Sequence, residues 1–115
     1  MLNHDEQDKF PADLEELIIN PKIVKNATPD EWYCYLKNSG YRLKPLRRGS
    51  FENKLYEEGG GFRINWGGDR IFQYHPPGGK HHGGIAYWKL SAGEFGRSHG
   101  QGTRRFDLDG NEIFD

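Results

Sequence analysis

The chain has 115 residues with five histidines and one cysteine, a length that suits one domain around a single core. A lone cysteine excludes an internal disulfide framework, no run of ~18 apolar residues is present to span a membrane, and MLNHDEQDKF lacks the basic-then-apolar profile of a signal peptide. The net charge of −1 conceals an asymmetry: residues 1–40 carry eight acids and four bases, whereas residues 41–115 carry nine acids, twelve bases and four of the histidines, so an anionic ligand belongs with the second part.

In chain order, FPADLEELIIN places Phe10, Leu14, Leu17 and Ile18 on one helical stripe, with Pro11 in the first turn and Pro21 as the stop. TPDEWYCYLKNSG predicts a second helix. Thr28 caps it, Pro29 takes the first helical position, Glu31 completes a capping box, and Gly40 terminates. Trp32, Tyr35 and Leu36 are expected to face the core, with Cys34 in the core or on its flank.

After Gly40 the period changes to that of strands. YRLKPL reads as a short edge strand limited by Pro45. GFRINW, RIFQYH, GIAYWKLS and TRRFDL alternate, separated by glycine-rich turns, and a short strand from Glu112 to Phe114 is expected to return after DGN. The expectation is an α+β fold, with two N-terminal helices packed on one face of a roughly four-stranded antiparallel sheet. Phe62, Ile64, Trp66, Phe72, Tyr74, Trp88, Leu90, Phe106 and Leu108 form its apolar face. Alternation sends Arg63, Asn65, Gln73, His75, Tyr87, Lys89, Ser91, Thr103 and Arg105 to the other face together. Antiparallel sheets often carry a solvated polar face, but solvation alone does not call for Tyr, His, Lys and Arg to converge.

The stretch YHPPGGKHHGG adds His81 and His82 beside His75. A metal reading takes His75 with one of the doublet, and Asp69 or His99 as a further ligand, but neither H-E-x-x-H nor paired C-x-x-C is present. An acid–base reading fits better. Cleavage of RNA through its own 2′-hydroxyl needs a base, an acid and cations for the charged phosphorane, and no cofactor. His75, one of His81 and His82, Lys89 and Arg105 are the catalytic candidates. Arg63, Tyr87, Ser91 and Thr103 are the RNA-binding candidates. EEGGGF has neither P-loop nor dinucleotide-binding spacing, and KPLRRGS is a short basic patch, either solvated or a phosphate contact.

The stretch from Gly59 through Ser91, with RRFDLDGN after it, resembles the C-terminal toxin domains of bacterial polymorphic toxins of the contact-dependent inhibition and LXG type. The resemblance covers roughly residues 29 to 115. Helices followed by an antiparallel sheet also look like the ribonuclease group of barnase, EndoU, RelE and the ribonuclease colicins. That group cuts RNA without metal from varied sets of residues on the sheet face. The resemblance implies a division into an N-terminal segment, 1–27, left from a delivery region, and a nuclease domain, 28–115. It also implies a tRNA or rRNA substrate, a cognate immunity protein as partner, and secretion within a larger effector that acts in the cytoplasm of a target bacterium; the cationic face makes that partner acidic in expectation, and the lack of a long apolar run leaves the isolated domain with no expected membrane association. Barnase-like enzymes use an acidic catalytic residue, and no Glu falls on the inferred face here, so a histidine has to be the base. The rival readings are a metal-dependent DNase using the same histidines and a non-catalytic nucleic-acid-binding module.

Overall fold

The structure is a computed structural model and describes residues 9–97 and 102–114. It is α+β. Helix α1 (Glu15–Ile19) runs into a 3-10 segment (Pro21–Asn26), helix α2 (Pro29–Asn38) follows, and five strands complete the chain. They are β1 (Phe62–Gly67), β2 (Arg70–His75), β3 (Tyr87–Ser91), β4 (Thr103–Asp107) and β5 (Glu112–Ile113), antiparallel and in sequence order across the sheet. Among the described residues no helix is long and apolar enough to cross a membrane.

Helix α2 forms where its end signals place it. The Thr28 hydroxyl accepts the Glu31 N–H at 3.1 Å, and the Glu31 carboxylate accepts the Thr28 N–H at 2.8 Å. At the other end Gly40 adopts φ +90°. This lets Tyr41 N–H reach the Leu36 carbonyl at 3.1 Å and Gly40 N–H the Lys37 carbonyl at 3.2 Å. Trp32 and Leu36 are fully buried, Tyr35 is half-buried against Phe10, and Cys34 is exposed rather than in the core.

The first helix is shorter than its apolar stripe suggests. Residues 11–14 form turns instead. The Asp13 carboxylate accepts Glu15 N–H at 2.8 Å, while the Pro11 carbonyl is taken by the Tyr35 hydroxyl. The α-helix stops before Pro21, as expected, and Pro21 opens the 3-10 segment that follows. Leu14, Leu17 and Val24 are nonetheless buried in the same core as Trp32 and Trp88.

Three further expectations are corrected. The sheet has five strands, because the DGN turn does return as β5. YRLKPL contributes only a bridge, Lys44 to Arg63, since Pro45 has no N–H with which to continue the ladder. Leu108 lies exposed in the β4–β5 turn, and Trp66 is only half-buried, its indole N–H donating to Glu15 at 2.7 Å. Arg104, and not Leu108, extends the apolar face of β4. Its guanidinium lies over the rings of Phe95 and Phe106 and is paired with Glu112.

The core is an aromatic layer. Trp88 stacks on Phe72 at 4.9 Å and meets Trp32 at 6.0 Å and Phe62 at 5.9 Å. The glycines of EEGGGF serve close backbone approach. A Cβ on Gly60 would lie 2.0 Å from the Lys54 carbonyl oxygen, and one on Gly61 would lie 2.1 Å from that of Tyr74. Thr28→Ala removes one of the two capping-box bonds and is expected to lower unfolding free energy by about 1 kcal/mol, read from urea denaturation. An unchanged midpoint would mean that the core alone sets the helix start.

Candidate functional site

Strand register decides which side chains meet. Phe72, Tyr74, Trp88, Leu90 and Phe106 point into the core, which sends their neighbours to the opposite face. There Arg63 pairs with Gln73, Gln73 with Lys89, and Lys89 with Arg105, a row crossing β1 to β4. The next row is His75, Tyr87 and Asp107.

The part of this face around His75, Tyr87, Lys89 and Arg105 is bordered by two loops. The segment from Leu46 to Lys54 is closed by a bond from Asn53 N–H to the Leu46 carbonyl at 2.8 Å and anchored by buried Leu46. The second loop, residues 76–86, is pinned by Gly78 N–H on the Gly84 carbonyl at 2.8 Å. Between the loops and the sheet lies a concavity of about 260 Å³ lined by His75, His81, His82, Tyr87, Lys89 and Arg105, with Lys80 exposed at its edge. Five predicted catalytic positions and Tyr87 therefore share one site.

The other predicted positions lie outside it. Arg63 is at the far end of its row, on β1, where it bridges to Lys44. Ser91 and Thr103 bond to each other at 3.2 Å one row farther along the sheet. Asp69 is tied to Arg70 at 3.0 Å and to Gly93 N–H at 2.7 Å, at the opposite end of β2 from His75. His99 lies outside the described residues. Among those residues no three of His, Cys, Asp and Glu are grouped to hold a metal ion.

Arg48, Ser50 and Phe51 also line the concavity, though strand alternation gives no hint of them. The basic KPLRRGS stretch is the one sequence signal that points toward them.

The electrostatics are unbalanced. Among the described residues no ion pair joins Arg48, Lys89 or Arg105 to a carboxylate. Asp107, the acid nearest in register, is committed to its own turn, accepting N–H groups of Asp109 and Asn111 at 2.9 Å each. Burial pushes the Lys89 ammonium below its ordinary range, and Arg105 and Arg48 add like-charge repulsion.

His75 stacks on Tyr87 with ring centroids 4.5 Å apart, and His82 meets the edge of the same ring at 4.8 Å. Nε2 of His75 lies 3.1 Å from the Gln73 amide oxygen. With that oxygen accepting, Nε2 carries the proton and Nδ1 is left as the lone-pair nitrogen. Burial, followed by the charges of Lys89 and Arg105, lowers the His75 pKa to about 4, so the imidazole is neutral at pH 7.

No family model, curated protein or solved structure matches this chain.

The His75 shift has a stability consequence. An unfolded histidine takes up a proton near pH 6.5, while the folded one resists until about pH 4. The unfolded state thus binds more protons in this window, and His75 contributes a loss of stability as pH falls from about 6.5 to about 4. Denaturation midpoints of wild type and His75→Gln are expected to diverge over that window, with wild type falling more steeply. Parallel curves would place the imidazole in a solvated setting.

Proposed function

We propose that the protein is a toxin ribonuclease that cleaves tRNA or rRNA by metal-independent acid–base attack of the 2′-hydroxyl. The observation that carries this reading is the convergence of three histidines with Arg48, Lys89 and Arg105 around one concavity, with no carboxylate among the described residues paired to those cations. A bound phosphodiester supplies the missing negative charge.

In this reading Nδ1 of neutral His75 takes the 2′ proton. O2′ then bonds to phosphorus, the P–O5′ bond breaks, and a second histidine donates its proton to the departing 5′ oxygen. The products are a 2′,3′-cyclic phosphate and a 5′-hydroxyl. His82 is the favoured acid, because it and His75 flank the same Tyr87 ring while His81 is exposed. Lys89 and Arg105 stabilise charge on the phosphorane oxygens. The phosphate's own charge raises the His75 pKa on binding, which strengthens it as a base when substrate is present.

Incubation with total RNA and with plasmid DNA, each with and without EDTA, separates the readings. RNA cleavage that survives EDTA is expected. DNA cleavage abolished by EDTA would instead identify a metal-dependent DNase, and cleavage of neither would identify a binding module. His75→Ala is expected to lower RNA cleavage by about two to four orders of magnitude, the usual size of an acid–base contribution. Full activity in the folded variant would remove His75 from the chemistry.

Resemblance to polymorphic-toxin domains extends the proposal to delivery within a larger secreted effector, action in the target cytoplasm, and neutralisation by an acidic immunity protein covering the concavity. Opposite charge speeds encounter, so the partner's on-rate is expected to fall steeply with salt, and the partner should exclude a bound uncleavable RNA analogue. Simultaneous binding of both would place the inhibitor elsewhere.

A further inference from the structure

The cations do not all belong to the concavity. Arg63 stands at the β1 end of the Arg63–Gln73–Lys89–Arg105 row. Three inter-strand spacings of ~4.8 Å separate it from Arg105, about 14 Å in all. Gln73 is the uncharged gap between it and Lys89.

A second cation is brought to Arg63 by the chain path. Lys44 and Arg63 exchange both backbone bonds, at 3.0 and 2.8 Å, and this fixes where the first loop leaves the sheet edge. Buried Leu46 then plants the loop against Gly61, where a Cβ would lie 2.8 Å from the leucine Cδ1. Arg47 emerges next and is exposed, while Arg48 turns into the concavity. Arg47 is close enough to repel Arg63, whose pKa is lowered by burial first and by Arg47 second. The Nε of Arg63 is buried and has no hydrogen-bond partner, and among the described residues neither arginine has a carboxylate partner. A buried, unpaired guanidinium nitrogen beside a second arginine is costly unless an anion completes it.

We propose that Arg47 and Arg63 form a second phosphate subsite, separate from the reacting centre at His75, Lys89 and Arg105, so that the substrate is a polynucleotide gripped at two phosphates. This rests on the ribonuclease reading and deepens it. The two adjacent arginines of the loop then serve different phosphates. Arg48 faces the one that reacts, and Arg47 faces a neighbour that does not. The outer subsite touches no reacting atom, so its binding energy appears mainly as a lower KM for substrates long enough to reach it.

The test compares a dinucleotide, with one phosphate, and a trinucleotide, with two. Wild type is expected to favour the trinucleotide by about tenfold in kcat/KM, the size of one charge-assisted hydrogen bond. In Arg47→Gln and in Arg63→Gln that ratio should collapse toward one, chiefly through KM. Affinity for a longer single strand should lose about 0.7 from its log–log salt slope for the phosphate released. A trinucleotide preference retained in both variants overturns the subsite. Arg47 is exposed, so its variant keeps the test valid if Arg63→Gln destabilises the sheet edge.

Uncleavable 2′-deoxy di- and trinucleotides, titrated by calorimetry, separate this inference from the reading beneath it. If wild type cleaves no RNA but the deoxytrinucleotide advantage still depends on Arg47 and Arg63, the subsite stands and the ribonuclease falls. If RNA is cleaved with no such advantage, the ribonuclease stands and the subsite falls.

Discussion

The burial of Trp88 is the constraint on which the site depends. It sits mid-strand in β3, fully enclosed by Trp32, Phe62 and Phe72, and a strand turns successive side chains to opposite faces. With Trp88 inward, Tyr87 and Lys89 have no choice of face. A one-residue slip would bring Lys89 into the aromatic layer, so the register that delivers Lys89 beside Arg105 is protected by the cost of burying an ammonium there. The indole nitrogen of Trp88 has no hydrogen-bond partner, a cost the fold accepts in order to place the ring there.

The polar face is assembled against local electrostatic preference. Arg105 and Arg48 both repel Lys89, and burial together with Lys89 and Arg105 keeps His75 neutral. Several of the fold's carboxylates are engaged elsewhere. Glu15, Asp69 and Glu94 all converge on Arg70, and Glu112 is given to Arg104. Those pairs tie α1 and the β3–β4 connection to the sheet. Segregation of this kind gathers like charge on one face of the sheet and costs stability there.

Much of this is legible in the sequence because it follows from period two. Phe72, Tyr74, Trp88, Leu90 and Phe106 mark the buried face, so His75, Tyr87, Lys89 and Arg105 can be grouped without coordinates. The Thr28–Glu31 box and Gly40 likewise fix α2 through local chemistry. What the sequence does not disclose is what depends on distant contacts. Helix α1 lacks its first turn because the Pro11 carbonyl goes to Tyr35, a residue 24 positions away. Leu108 leaves the core because a turn intervenes. Arg47, Arg48 and Phe51 have no readable position, because a loop has no period, and its place is set by Leu46 and Gly61 meeting across the sheet edge.

The division of labour between strands and loops follows the same physics. His75, Lys89 and Arg105 stand on hydrogen-bonded strands over a packed core, where positions are held closely. His82 stands on a turn and adopts φ +54°, a left-handed conformation uncommon for a residue with a side chain. Gly83 and Gly84, both also at positive φ, continue that turn. The bond from Gly78 to Gly84 fixes the loop's two ends, so the unusual backbone at His82 is imposed by closure, and it aims the imidazole at Tyr87 and not at solvent, where its neighbour His81 lies. Strain at one histidine of an adjacent pair is what distinguishes it from the other. A doublet in sequence thus becomes, in three dimensions, one residue that shares a ring with His75 and one that does not.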